Sequence, residues 1–124
     1  MNLSQKEHNE RRKHIRFKLK EGVMATVRYN EGVVGTIIDI SLGGLALQYI
    51  NLGKELTISQ GQKVYLCDKK NRLIAITCDI VWDKAIEGHY SAFKVVEVRQ
   101  SGVHFHEVEA NQVLNLDNFI TNNI

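Results

Sequence analysis

The sequence predicts a mainly β domain, a small barrel or sandwich of six or seven short strands followed by one helix. Three observations carry this. Apolar residues alternate with polar ones over short runs, the two-residue period of a half-buried strand. Clusters of turn residues separate these runs at regular intervals. The final stretch then changes to the spacing of an amphipathic helix. A barrel suits a domain this small because closure removes exposed strand edges.

The elements follow in order. Residues 1–16 form a polar, mobile arm. Val23, Ala25, Val27 and Tyr29 alternate with polar neighbours and open the first strand, which the turn chemistry of Asn30-Glu31-Gly32 ends. Val33–Ile40, rich in β-branched residues, is the second strand. Leu42-Gly43-Gly44 breaks it, and Leu45–Ile50 resumes as the third. Residues 51–61, with glycines near both ends, connect to a short strand, Val64–Cys67. Residues 68–72 are a turn. Leu73–Trp82 is the longest strand, with Ile74, Ile76, Cys78, Ile80 and Trp82 on one face. Residues 83–89 turn the chain into Tyr90–Val98, which Arg99-Gln100-Ser101-Gly102 separates from Val103–Phe105. From Glu107 to Ile120, Ala110, Val113, Leu114, Leu116 and Phe119 or Ile120 give a helical stripe, ended by Asn122 and Asn123.

At 124 residues the chain fits one domain with one modest core. No apolar run approaches the roughly 18 residues of a membrane span. The polar N-terminus lacks a secretory apolar stretch, so the expected location is the cytoplasm. Cys67 and Cys78 lie in apolar runs without metal or redox spacing and read as buried free thiols. His104 and His106 share a strand face, but no further ligand of recognisable spacing accompanies them, so no metal site is expected.

Charge is distributed unevenly. Between Lys6 and Lys20 stand seven basic residues against two acidic ones, while the rest of the chain has nine against twelve. A basic arm on a mildly acidic body points to a local anionic partner. Within the arm, Arg11, Arg12, Lys13 and Arg16 place four cations in six residues. Arginine predominates there, and its planar fork matches phosphate oxygens and the O6/N7 edge of guanine. Taken alone, such a run is a solvated face. The stretch Asp39-Ile40-Ser41-Leu42-Gly43-Gly44 has two readings. One is a turn, with Asp39 and Ser41 bonded to local backbone and the glycines at positive φ. The other is a loop where ligand approaches backbone closely and Asp39 accepts from the N1 and N2 donors of guanine.

Together, Arg12-x-x-x-Arg16 and, after 22 residues, Asp39-x-Ser41-x-x-Gly44 resemble the signature of the PilZ domain family, which binds the bacterial second messenger cyclic di-GMP. The resemblance runs from about Arg11 to Ile120 and includes Ile80-Val81-Trp82 and Ser101–Phe105. It implies a six-stranded antiparallel β-barrel with a C-terminal α-helix. It sets a flexible arm at 1–10 and the domain at 11–121. It also implies that Arg12 and Arg16 hold phosphates and a guanine edge, that Asp39 and Ser41 bond the guanine, and that Gly43 and Gly44 keep the loop tight. Arg11 resembles the position that favours two intercalated ligands per chain. Trp82 resembles an aromatic near the site, with packing in the core as its plainer role. Lys13 and His14 are solvent-facing spacers.

The function this implies is that of a non-enzymatic, stand-alone receptor. Cyclic di-GMP, two molecules per chain, orders the basic arm and alters a surface that an effector protein reads. The alternative is a small barrel binding nucleic acid or a phosphorylated partner through the arm. The acidic body and the lack of an aromatic stacking series favour the receptor. No nucleophile–base set, phosphate loop or cofactor motif has usable spacing, so neither enzyme nor cofactor is expected.

Overall fold

A computed structural model of the chain describes residues 14–28, 32–86, 89–90, 95–106 and 108–124. Six strands close into an antiparallel barrel: β1 (Met24–Arg28), β2 (Val33–Ile40), β3 (Gly44–Ile50), β4 (Ser59–Cys67), β5 (Leu73–Ala85) and, late in the chain, a strand over Val98–Phe105. Between β5 and that last strand, β6 (His89–Tyr90) and β7 (Val95–Val96) pair only with each other, so the barrel's last strand is β8. Its order around the barrel is β1-β2-β3-β8-β5-β4, with β4 closing back on β1. A helix, α1 (Ala110–Asn123), follows. The architecture is the six-stranded antiparallel barrel with a C-terminal helix that the resemblance implies.

Period-two patterning explains the interior. Val23, Ala25 and Val27, Leu45 and Leu47, Val64 and Leu66, and Ile76, Cys78 and Ile80 point inward and are buried. Leu116, Phe119 and Ile120 of α1 join the same cluster. Each of the Val, Leu, Ile and Phe side chains among them contributes about 1.5–3 kcal/mol on burial. Burial, with a further push from Asp79, raises the Cys78 thiol to about 12. Cys67 is half-buried, its Sγ 3.5 Å from the Asp68 carbonyl oxygen. A thiol-specific reagent is therefore expected to modify Cys67 alone in the native protein and Cys78 only after denaturation. Counting modified thiols in the two states checks this.

Several expectations shift. Tyr90–Val98 is not one strand: β6 and β7 pair antiparallel with each other, and β8 runs without a break through Arg99-Gln100-Ser101-Gly102. Those four residues look like a turn but pair with both β3 and β5. Ser101 is fully buried, and its hydroxyl donates to the Trp82 carbonyl at 2.9 Å. β4 begins at Ser59, with Gly61 (φ 72°) at a bulge rather than in the connection. In α1 the buried stripe is Leu116, Phe119, Ile120 and Asn123, and Leu114 is 62% exposed. The helix also continues past Ile120 to Asn123. Gln112 Oε1 accepts the Glu109 N–H at 3.1 Å, one half of a capping box.

At the end of the barrel where β3 finishes, a polar network holds the following loop. The Tyr49 hydroxyl donates to Asp83 at 2.7 Å and accepts from the Leu56 N–H at 2.9 Å. Burial and the Asp83 bond push that phenol up to about 12. Arg99 pairs with Asp83 at 2.7 Å and with Glu97 at 2.7 Å. The bonds to Glu97 and Asp83 raise the guanidinium further above its already high range.

Candidate functional site

Two bulges decide which side chains reach the outer surface beside the β2–β3 turn. In β2 the pairing runs Ile37 with Leu47 and then Asp39 with Ala46, so Ile38 is the extra residue. Without it Asp39 would share the inward face of Ile37; with it Asp39 turns outward and Ile40 returns to the core. The same device acts in β5. Ile80 pairs with Val103 and Trp82 with Gly102, leaving Val81 as the extra residue. The expected common face of Ile80 and Trp82 is therefore broken. Ile80 is buried, whereas Val81 and Trp82 face outward, Trp82 38% exposed. The indole lies across Gly102, where any Cβ would collide with it. Lys84 Nζ stands 5.3 Å from the ring centroid.

The turn between β2 and β3 is tight. The Ser41 N–H donates to the Gly44 carbonyl at 2.8 Å, and the Gly43 N–H donates to Ser41 Oγ at 3.1 Å. The buried Ser41 hydroxyl thus serves the turn itself, as the plainer sequence reading has it. The glycines do not act as that reading has it, because neither adopts positive φ. At Gly44 the requirement is steric. A Cβ at Gly44 would strike the Val103 carbonyl oxygen, and one at Gly43 would lie 2.8 Å from the His14 ring.

The N-terminal segment is docked onto this turn. Phe17 and Ile40 exchange both backbone bonds, at 2.7 and 2.9 Å, so residues flanking Phe17 run beside the end of β2. Arg16 Nη1 then reaches Asp39 Oδ1 at 3.0 Å, with both side chains partly exposed. Of the arm expected through residue 16, Arg16 is thus placed against the barrel, next to the bonded Phe17. Arg11, Arg12 and residues 1–10 lie outside the described residues.

These elements enclose an open groove of about 320 Å³. Of the residues expected at the site, Arg16, Ser41, Gly43, Gly44 and Trp82 line it, and Asp39 is tied to its rim through Arg16. His14, Val81, Val103 and His104 line it too. Of these, His14 and His104 carried weak signals in the sequence, one as a motif spacer and one in a histidine pair on an exposed face. Among the described residues no cluster of three or more His, Cys, Asp or Glu is placed to hold a metal ion. No helix among them is long and apolar enough to cross a membrane.

The sequence profile of the PilZ domain matches residues 10–122, almost the whole chain. The chain belongs to the PilZ domain family. PilZ domains are non-enzymatic cyclic di-GMP receptors. Among solved structures, the PilZ domain with c-di-GMP of YcgR from Escherichia coli superposes with a TM-score of 0.68 at 12% identity, covering 90% of each chain. The K. pneumonia MrkH–c-di-GMP complex gives 0.64 at 17% identity. The Bacillus subtilis inhibitor of motility (MotI/DgrA) gives 0.61 at 15%. Each of the latter two matches 90% of this chain, which spans about half of their own length. At such identities the likeness is one of fold. No curated protein matches the chain.

Proposed function

We propose that this PilZ domain is a cyclic di-GMP receptor acting in the cytoplasm. The observation that carries the reading is the convergence, at one groove, of the Arg16–Asp39 pair, the tight Ser41–Gly44 turn and the outward-facing Trp82. Arg16 offers a fork to a phosphate or to a guanine O6/N7 edge. Asp39 takes the Arg16 bond on Oδ1, and a carboxylate has acceptor capacity for two donors more. Guanine N1–H and N2–H match it. Trp82 adds an aromatic wall to the groove that a base can meet. Ser41 holds the turn, so its part in recognition is to keep backbone at the groove. Arg12 joins Arg16 on the ligand, and Arg11 accommodates a second ligand molecule. The two YcgR and MrkH complexes above, which contain c-di-GMP, support the same assignment.

In this reading, ligand phosphates draw the basic residues before His14 onto the barrel beside the 39–44 turn. The ligand and ordered arm together present the surface that an effector protein recognises. The alternative, nucleic acid or a phosphorylated partner bound by the arm, uses the arm alone and gives the Asp39 acceptor beside Arg16 no part.

Calorimetric titration with cyclic di-GMP and cyclic di-AMP tests the assignment. Adenine leaves Asp39 without its matching donors, at a cost of about 1–3 kcal/mol, so the guanine ligand binds roughly 5- to 150-fold more tightly. Two molecules bind per parent chain, shifting toward one in Arg11→Leu. Equal affinity for the two dinucleotides would end the receptor reading; a stoichiometry of one would remove only the role of Arg11.

A further inference from the structure

His14 and His104 reach the same groove from different elements. His104 is exposed on β8, where its register partners are Gly44 on β3 and Asp79 on β5. Gly44 contributes no side chain at that level. His14 comes from the N-terminal segment, and its ring lies against Gly43, one residue away along the same turn. Among the described residues, the charged neighbours are two of each sign, Arg16 and Lys84 against Asp39 and Asp79. Arg16 and Asp39 pair with each other. Asp79 Oδ1 accepts the Gly61 N–H at 3.1 Å. Lys84 is placed over the outer Trp82 ring.

We propose that His14 and His104 are ligand-contacting residues that couple cyclic di-GMP binding to proton uptake, so that affinity rises as pH falls from about 8 to about 6. The inference rests on the cyclic di-GMP assignment above. Imidazole is the side chain that ordinarily titrates between about pH 5 and 8. Phosphodiesters keep their single negative charge throughout that range, so the ligand supplies no pH dependence of its own. An anion seated in the groove that both residues line favours their protonated forms. By linkage, the bound state takes up protons. Binding then strengthens as pH falls through the bound-state titration and levels off below the free-state one. A fully linked histidine gives at most about tenfold per pH unit, and partial linkage of two gives about 5- to 30-fold across the interval.

The test is calorimetric titration of the full chain with cyclic di-GMP near pH 6 and near pH 8, for the parent, His14→Gln, His104→Gln and the double variant. Glutamine keeps hydrogen-bonding capacity but does not titrate. His106→Gln is the control, since His106 lines a separate depression with Thr77 and Glu109. The expected result is a 5- to 30-fold loss of parent affinity toward about pH 8, a smaller loss in each single variant, pH-independent binding in the double variant and an unchanged slope in His106→Gln. Binding that does not vary with pH in the parent, or a slope that survives in the double variant, overturns the inference and leaves the receptor assignment standing. Absence of binding at both pH values overturns both.

Discussion

Arg16→Ala weakens cyclic di-GMP binding by about 10- to 100-fold while the apo melting temperature stays within about 4 °C of the parent. A hydrogen bond to a charged group contributes about 1.5–3 kcal/mol, and the guanidinium fork makes such bonds to phosphate or guanine. Its pair with Asp39 is partly exposed, and exposed pairs contribute about 0–1 kcal/mol to folding, so the barrel scarcely registers the loss. Asp39→Ala behaves differently: it frees Arg16 for phosphate but removes the acceptor that selects guanine. That variant narrows the gap between cyclic di-GMP and cyclic di-AMP. Arg12→Ala is expected to weaken binding as Arg16→Ala does. Calorimetry with thermal denaturation separates the effects. An Arg16→Ala protein that binds like the parent would make the arm a bystander, and one that melts much earlier would make Arg16 structural.

Asp68→Ala lowers the melting temperature by about 5–10 °C and flattens its dependence on acid. Asp68 is buried at the β4–β5 turn. Oδ1 accepts from the Lys70 and Arg72 N–H groups at 2.9 and 3.0 Å, and Oδ2 accepts from the Asn123 amide at 3.1 Å and Arg72 Nε at 2.9 Å. Burial alone would raise this carboxyl. The Asn123 amide, the two backbone donors and the Arg72 charge outweigh it and hold the group below its usual range. A carboxyl depressed in the folded state stabilises fully above its unfolded value, 3.8, and loses that contribution as pH falls through the folded one. The parent's melting temperature therefore drops in acid below about pH 4, and the variant starts lower and falls less. Matching acid limbs in the two proteins would show that Asp68 is not the group responsible. The same turn matters beyond itself, because the Asn123 carbonyl accepts the Lys20 N–H at 2.7 Å and so ties the N-terminal segment to the end of α1.

What the sequence conveys well here is periodic. The inward faces of β1, β3 and β4 follow from alternation, and the helix from its change of period. Alternation fails where one inserted residue reverses the phase. Nothing in Ile80-Val81-Trp82 distinguishes a continuous strand from one bulged at Val81, so the indole's outward position is not legible. Asp39 is turned outward by the equivalent bulge at Ile38, yet it was legible because the motif marks it independently of strand phase. Gly102 misled in the opposite direction. It looks like a turn residue, but it is the strand position over which Trp82 lies. Asn123 ends the helix as expected, and it is also buried, its amide bonded to Asp68 and the Phe119 carbonyl. The histidines of the groove were visible only as residues, since their meeting depends on the pairing of β3 with β8 and on the docking of the N-terminal segment.

The two backbone bonds between Phe17 and Ile40 have a consequence for the kinetics and strength of capture. With Phe17 fixed at the end of β2, Arg12 stands four residues before Arg16 and is limited to about 14 Å of backbone beyond it. In the proposed receptor its guanidinium meets a ligand already seated on Arg16 as a tethered reactant, at an effective concentration of order millimolar or above. Tethering makes the second grip a local search within a small volume. Lengthening the chain between residues 12 and 16 with inserted Gly-Ser pairs should dilute Arg12 progressively, and the ligand should dissociate faster with each insertion even though every contacting residue is retained.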